Sequence, residues 1–317
     1  MRLRYLVPAL LAVVALAVLA CNGGGNGVRS TPTAVEEAAP SPSPAAFPVT
    51  VTDSNGKQIT FELAPEKIVA LAPSFVEILF AIGAGDAVVA VDENTDFPPE
   101  AATKTKLSGF EPSLEGIAAL EPDLVIIFFD PGGLEDALEG LGIPVLFQQT
   151  PASVQGVFDQ IELLSSVTGR LDEAESLIAD MQAGIDAIVA GLADVQEGPR
   201  IFHELDSTFF TVGPGSFVAD LYGLLNAQNI ADATGEPFPQ MNAEAIIEAD
   251  PEVIILADAE FGESAETVKA RPGWENVSAV QSDRIFPVDP DLVSRPGPRL
   301  VEGLETLAKL LYPELFP

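Results

Sequence analysis

The sequence predicts an α/β protein with two similar lobes, mainly parallel sheets, one long joining helix and a ligand cleft between the lobes. Three observations carry this. A unit is repeated: "EGIAALEPDLVIIF" from Glu115 and "EAIIEADPEVIILA" from Glu244 align without a gap, so that Ile117 meets Ile246 and Pro122 meets Pro251. Short apolar runs without polar alternation follow helical patterns in both halves, the signature of strands buried on both faces. Between the halves, Leu177, Met181, Ile185, Ile188 and Leu192 form one apolar stripe at helical spacing.

The first half offers "KIVALA" at Lys67, "AVVAV" at Ala87, "DLVIIFF" at Asp123 and "IPVLFQ" at Ile143 as strands. They are preceded by "VTVTDSNGKQITFEL", which alternates around Asn55-Gly56 and predicts an opening hairpin with a two-residue turn. The second half offers "RIFHEL" at Arg200, "FFTVG" at Phe209, "EVIILA" at Glu252 and "RIFPV" at Arg284. "PASVQGVFDQIELLSSVTG" predicts a helix ended by Gly169, and the striped segment after it a single stiff helix of more than twenty residues. The predicted organisation is an N-terminal lobe over 47–152, helices over 153–196 and a C-terminal lobe over 197–317.

Ahead of the lobes, residues 1–20 have a basic start at Arg2 and Arg4 and an apolar run from Tyr5 to Leu19, the pattern of an export signal. Val18, Leu19, Ala20 and Cys21 resemble a bacterial lipobox, which implies cleavage before Cys21 and its acylation; an uncleaved membrane anchor is the competing reading. Cys21 is the only cysteine, so no intramolecular disulfide forms. Residues 21–46, rich in Gly, Ser, Thr, Pro and Ala, read as an acylated cysteine and a tether too polar to bury a core. Either reading places the body outside the cytoplasm, and the acylated one holds it on the outer face of the cytoplasmic membrane.

The chain has 317 residues, 47% hydrophobic, with 15 Lys and Arg against 48 Asp and Glu. Without Arg2 and Arg4 the basic total is 13 and the net charge −35, which excludes nucleic acid as a natural partner.

Catalytic and metal chemistry find little support. His203 is the only histidine, too few imidazoles for a transition-metal receptor. "DENTD" at Asp92 imitates a calcium loop but has Phe97 where glycine must turn and Thr103 where a glutamate belongs. There is no Gly-x-Ser-x-Gly turn and no Gly-x-x-x-x-Gly-Lys loop. The expectation is a binding protein with no catalytic residue, no cofactor and no resident metal.

Ligands of open α/β sheets gather at the carboxyl ends of strands. Those ends nominate Ser74, Asp92, Asn94, Phe97, Phe110, Phe129 and Asp130 on the first lobe. On the second they nominate Glu204, Asp206, Phe209, Phe238, Asp258 and Arg295. Core packing is the competing reading for each phenylalanine, whereas Arg295, between Ser294 and Pro296, is expected to be exposed.

Four stretches, "ALAPSFVEILFAIGAGDAVVAVDENTDFPPEA", "LEGIAALEPDLVII", "GPGSFVADLYGLLNAQNIAD" and "RPGPRLVEGLETLAKLL", are similar to the helical-backbone substrate-binding proteins of ABC importers for cobalamin and iron-siderophores. The resemblance covers about Phe47 to Pro317. It implies a monomeric receptor that holds a solute between its lobes and delivers it to an ABC permease dimer with ATPase subunits. It also implies an acidic docking residue on each lobe: Glu77 in "PSFVE", and Asp220 in "SFVADL", where a glutamate is more usual. Glu77 has a local alternative, a capping box with Ser74. The scarcity of cations disfavours strongly anionic tris-catecholates and leaves corrinoids and ferric hydroxamates, between which the resemblance implies a corrinoid first. Haem would need His203 or Tyr222 as axial ligand.

Overall fold

The computed structural model describes residues 47–317; the predicted signal peptide, Cys21 and the tether lie outside them. The chain opens with β1 (Val49–Thr52) and β2 (Gln58–Phe61), an antiparallel hairpin in which Val49 faces Phe61 and Thr52 faces Gln58. Its loop is wider than the two-residue turn expected. The Asp53 carboxylate accepts from the amides of Asn55 and Lys57, and Gly56 takes the left-handed φ of 83°.

The first lobe continues through β3 (Ile68–Ala70), α1 (Pro73–Ala81), β4 (Val88–Asp92), β5 (Thr105–Leu107), α2 (Leu114–Ala118), β6 (Leu124–Ile127), α3 (Leu134–Gly140) and β7 (Val145–Phe147). Its sheet has the order β5-β4-β3-β6-β7, with every pairing parallel. Two helices follow, α4 (Val154–Thr168) and α5 (Leu171–Gly191). Ser153 caps the start of α4, and Gly169 ends it at a left-handed φ of 73°. The predicted stripe of α5 is its inner face, with Met181, Ile185, Ile188 and Leu192 all buried.

The second lobe comprises β8 (Arg200–Glu204), α6 (Phe217–Leu224), β9 (Gln228–Asn229), α7 (Ala243–Ala249), β10 (Val253–Leu256), α8 (Ala265–Lys269), α9 (Ser278–Gln281) and β11 (Ile285–Pro287). α10 (Pro290–Ser294) and α11 (Leu300–Leu311) complete the chain. The sheet order, β11-β10-β8-β9, is again all parallel and, read in reverse, matches β4-β3-β6-β7 of the first sheet. The repeat therefore has a structural meaning. α2–β6 and α7–β10 occupy equivalent positions, each strand lying beside the first strand of its sheet. Even the turns agree: Glu121 and Asp250, each ahead of a proline, have φ values of 50° and 48°.

Strand alternation sorts the core. Ile68 and Ala70, with Ile201, Val253 and Ile255, face inward onto α4, α5, α6 and α11, and one apolar cluster runs through both lobes. The opposite strand faces pack under each lobe's outer helices: Val69, Val125 and Val145 with Ile117 and Leu138, and Phe202, Ile254 and Leu256 with Ile246 and Trp274.

Two strands escaped the sequence reading and one was misplaced. β5 and β9 are short, polar edge strands with no apolar run to mark them. "FFTVG" forms only isolated antiparallel bridges, Glu204 to Thr211 and Phe210 to Gln240, because Phe209 turns the chain back at a φ of 67°. No helix among the described residues is long and apolar enough to cross a membrane.

His203 lies on the inner face of β8, fully buried, with its Nδ1 2.8 Å from the Tyr222 hydroxyl. Burial lowers its pKa to about 4. The folded state thus resists protonation that the unfolded chain accepts near 6.5. The resulting stability, about 3 kcal/mol, is complete above that value and drains away as pH falls towards 4. Melting temperatures between pH 7 and 4 should fall more steeply for the wild type than for His203→Gln; parallel curves would contradict a buried neutral imidazole.

Candidate ligand cleft

The carboxyl ends of the first sheet converge on a cavity of ≈ 350 Å³ lined by Ser74, Asp92, Asn94, Phe110 and Phe128 on one side and by Asp291, Ser294 and Arg295 on the other. A second cavity of ≈ 140 Å³ shares Thr150 and Ser294 with it and adds Leu205, Val212 and Phe238 from the second lobe. Together they form a cleft with both lobes in its walls.

Five predicted wall residues, Ser74, Asp92, Asn94, Phe110 and Arg295, line the larger cavity, and Phe238 lines the smaller. The Phe110 ring meets Phe128 edge-on at 5.3 Å, and Phe129 lies 6.2 Å from Phe110. Phe110 and Phe129 remain exposed at 57% and 45%, so this aromatic patch is not a closed core. Sequence reasoning missed Phe128, whose place at the end of the β6 run looked like a continuation of the strand.

Two predicted carboxylates shape the wall from behind it. Asp92, 2% exposed, accepts from the Asn94 amide through Oδ1 and from the Gly109 amide through Oδ2, both at 2.8 Å. It thereby fixes Asn94 and the loop that presents Phe110. Gly109 has no room for a side chain, since a Cβ would fall 2.5 Å from Asp92 Oδ2 and 2.6 Å from the Leu71 carbonyl oxygen. Asp130 accepts from the Gly133 and Leu134 amides at the start of α3.

Other expectations need correction. α1 starts at Pro73, its N-cap is Ala72, and no side chain caps it, so the Ser74–Glu77 capping box does not form. Glu77 is not an outward-facing docking group either. Its side chain is 2% exposed, and its carboxylate accepts from Arg299 Nε at 3.0 Å and Nη2 at 2.7 Å, and from Arg295 Nη1 at 2.9 Å. Arg295, expected at the surface, is 9% exposed and also binds Asp96 at 2.7 Å and Asp291 at 2.6 Å. Although burial alone would raise it, the Asp96 carboxyl is held below its usual range by Arg295. Phe97 stands outside the cleft cavities, beneath the Arg299 guanidinium at 4.5 Å. Arg299 was legible in "RPGPR", four residues beyond Arg295, but its acidic partner lies 222 residues away.

Asp220, in the first turn of α6, is half-buried and accepts from the Val154 amide at 2.8 Å, capping the first turn of α4. On the second lobe, Glu204 is wholly buried at the end of β8 and gripped by both terminal nitrogens of Arg271. Burial pushes its pKa up to about 7 against the pull of that arginine. Arg271 also binds Glu263 at 2.7 Å and lies over Trp274 and Phe209, which stack at 5.8 Å. Asp206 accepts from the Thr208 amide and hydroxyl, closing the turn after β8. Asp258 follows β10 with 2% exposure.

With this architecture in view, residues 68–292 match the family described as periplasmic binding protein. The chain belongs to that family. It is 35% identical over 279 residues to an uncharacterised ABC transporter substrate-binding lipoprotein of Bacillus subtilis, covering 85% of this chain and 87% of the relative. A cobalamin-binding protein of Halobacterium salinarum is 28% identical over 317 residues, covering 96% of this chain and 84% of its own. Among solved structures, the periplasmic haem-binding protein of Roseiflexus superposes with a TM-score of 0.71 at 25% identity, covering 79% of this chain and 99% of that one.

Two substitutions test the geometry. Glu77→Ala removes the carboxylate partner of Arg299 and one of the three around Arg295, and should cost about 3–5 kcal/mol in urea unfolding; a change below about 1 kcal/mol would show that Glu77 is dispensable. Gly109→Ala should lower the melting temperature and weaken solute binding together, because Asp92 and the Phe110 loop must separate; an unchanged melting temperature would contradict the crowding at this position.

Proposed function

We propose that the protein is an extracytoplasmic solute receptor that captures a corrinoid and hands it to an ABC importer. The single observation that carries this reading is the cleft itself, with Phe110 and Phe128 on one wall and Phe238 on the other. Broad apolar rings with few free charges suit a large, nearly neutral, amphipathic molecule. Arg271, Arg295 and Arg299 are already paired with carboxylates within the chain, which leaves little to attract a polyanion. The cobalamin-binding relative supports the corrinoid, and the haem-binding structure keeps haem as the second reading.

Haem fits the residues less well. Of the two axial candidates named by the sequence, His203 and Tyr222 are both fully buried and bonded to each other beneath the second lobe. A ferric hydroxamate is the remaining member of the same ligand class. Lipid anchoring through Cys21 belongs to this proposal, as does delivery to a permease. Asp220 is the better docking carboxylate of the two, whereas Glu77 serves by holding the first lobe to α10 and α11.

Isothermal titration of residues 47–317 with cyanocobalamin should give tight one-to-one binding, and Phe110→Ala and Phe128→Ala should each weaken it about tenfold. Hemin bound in preference to cyanocobalamin would transfer the assignment to haem. Asp220→Asn should weaken binding to the importer reconstituted in nanodiscs while leaving solute affinity unchanged; equal docking by the variant would remove Asp220 from that surface.

A further inference from the structure

The second lobe carries an acidic group that no donor among the described residues satisfies. Asp258 is 2% exposed, and among those residues neither carboxylate oxygen has a hydrogen-bond partner. A buried carboxylate without a donor is a liability that folding alone would not retain. Its position is informative. It follows β10, the strand between β8 and β11, and the chain just beyond both neighbours, at Leu205 and Pro290, lines the cleft cavities.

Its surroundings are short of positive charge. Glu204, Asp206 and Glu263 act electrostatically on the same region, against Arg271 alone, and Arg271 is committed to Glu204 and Glu263. Glu263 and Asp206 are partly exposed, so they form an approachable rim beside the buried Asp258. Burial among these carboxylates raises the pKa of Asp258, as expected for a group awaiting a donor. Among the described residues no three His, Cys, Asp or Glu side chains are grouped to hold a metal ion, so a cation site of that kind does not account for it. The Ala259–Phe261 turn that follows begins at Asp258 and ends at Gly262, whose φ of 105° is open to glycine and strained for other residues.

Resting on the receptor reading above, we propose that Asp258, with Asp206 and Glu263 at its rim, is a specificity subsite for an N–H donor on the edge of the solute. The donor is an amide or an ammonium, both of which supply the missing hydrogen bonds. A carboxylate-edged solute is rejected there by like charge.

The experiment compares wild type, Asp258→Asn and Asp258→Leu, first as ligand-free proteins by thermal melting, then by titration with three probes. Cyanocobalamin supplies edge amides, ferric ferrioxamine B an ammonium, and hemin carboxylates. Both variants should melt several degrees above the wild type, because an unpaired buried charge has been removed. Each should bind the amide or ammonium probe at least about tenfold more weakly, and hemin no more weakly than the wild type does. Which of the first two probes the wild type binds identifies the donor. Variants that melt at or below the wild-type temperature, or that bind all probes equally well, would overturn the subsite. A wild type that binds none of the three overturns the receptor reading, and the ligand-free melting comparison then decides this inference by itself.

Discussion

A carboxylate from the first lobe, buried between two arginines from the end of the chain, is the constraint on which the cleft depends. Glu77 projects from α1, directly after β3, whereas Arg295 and Arg299 flank the junction of α10 and α11. Glu77 is the carboxylate that Arg295 and Arg299 share, so their separation from α1 is fixed within hydrogen-bond tolerance. Arg295 then extends the network to Asp96 beyond β4 and to Asp291 on α10, and it lines the larger cavity as well. Electrostatics and cleft width are thereby linked: the group that holds the lobes together is part of the wall.

Apolar packing reinforces that arrangement. The inner faces of both sheets contribute to one core through α4, α5, α6 and α11, so the lobes are not independent bodies on a flexible linker. α5 packs against α4 and α11, and Asp220 ties α6 to the start of α4. Wide hinge motion would have to expose this shared apolar surface.

Much of this was legible in the sequence because it follows from periodicity. Uninterrupted apolar runs gave parallel strands, the stripe from Leu177 to Leu192 gave α5, and the repeated unit gave two equivalent sheets down to the shared left-handed turn at Glu121 and Asp250. Strand ends bring Ser74, Asp92, Asn94, Phe110 and Arg295 to one cavity. What failed was anything set by partners distant in sequence. Arg295 reads as exposed beside a proline, yet it is covered by a loop 199 residues earlier. Ser74 and Glu77 have capping-box spacing, yet the helix begins two residues too early and the glutamate finds stronger partners. Polar edge strands and the Glu204–Arg271 pair left no local pattern at all.

In the proposed receptor the solute lies between the Phe110–Phe128 wall and the Leu205–Phe238 wall. Crystallising residues 47–317 with cyanocobalamin tests it most directly. Density for the corrin ring against Phe110 and Phe128, with its edge turned towards the second lobe near Asp258, is the predicted result. A ligand seated instead on the outer groove between α4 and α5, with the cleft unfilled, would contradict it.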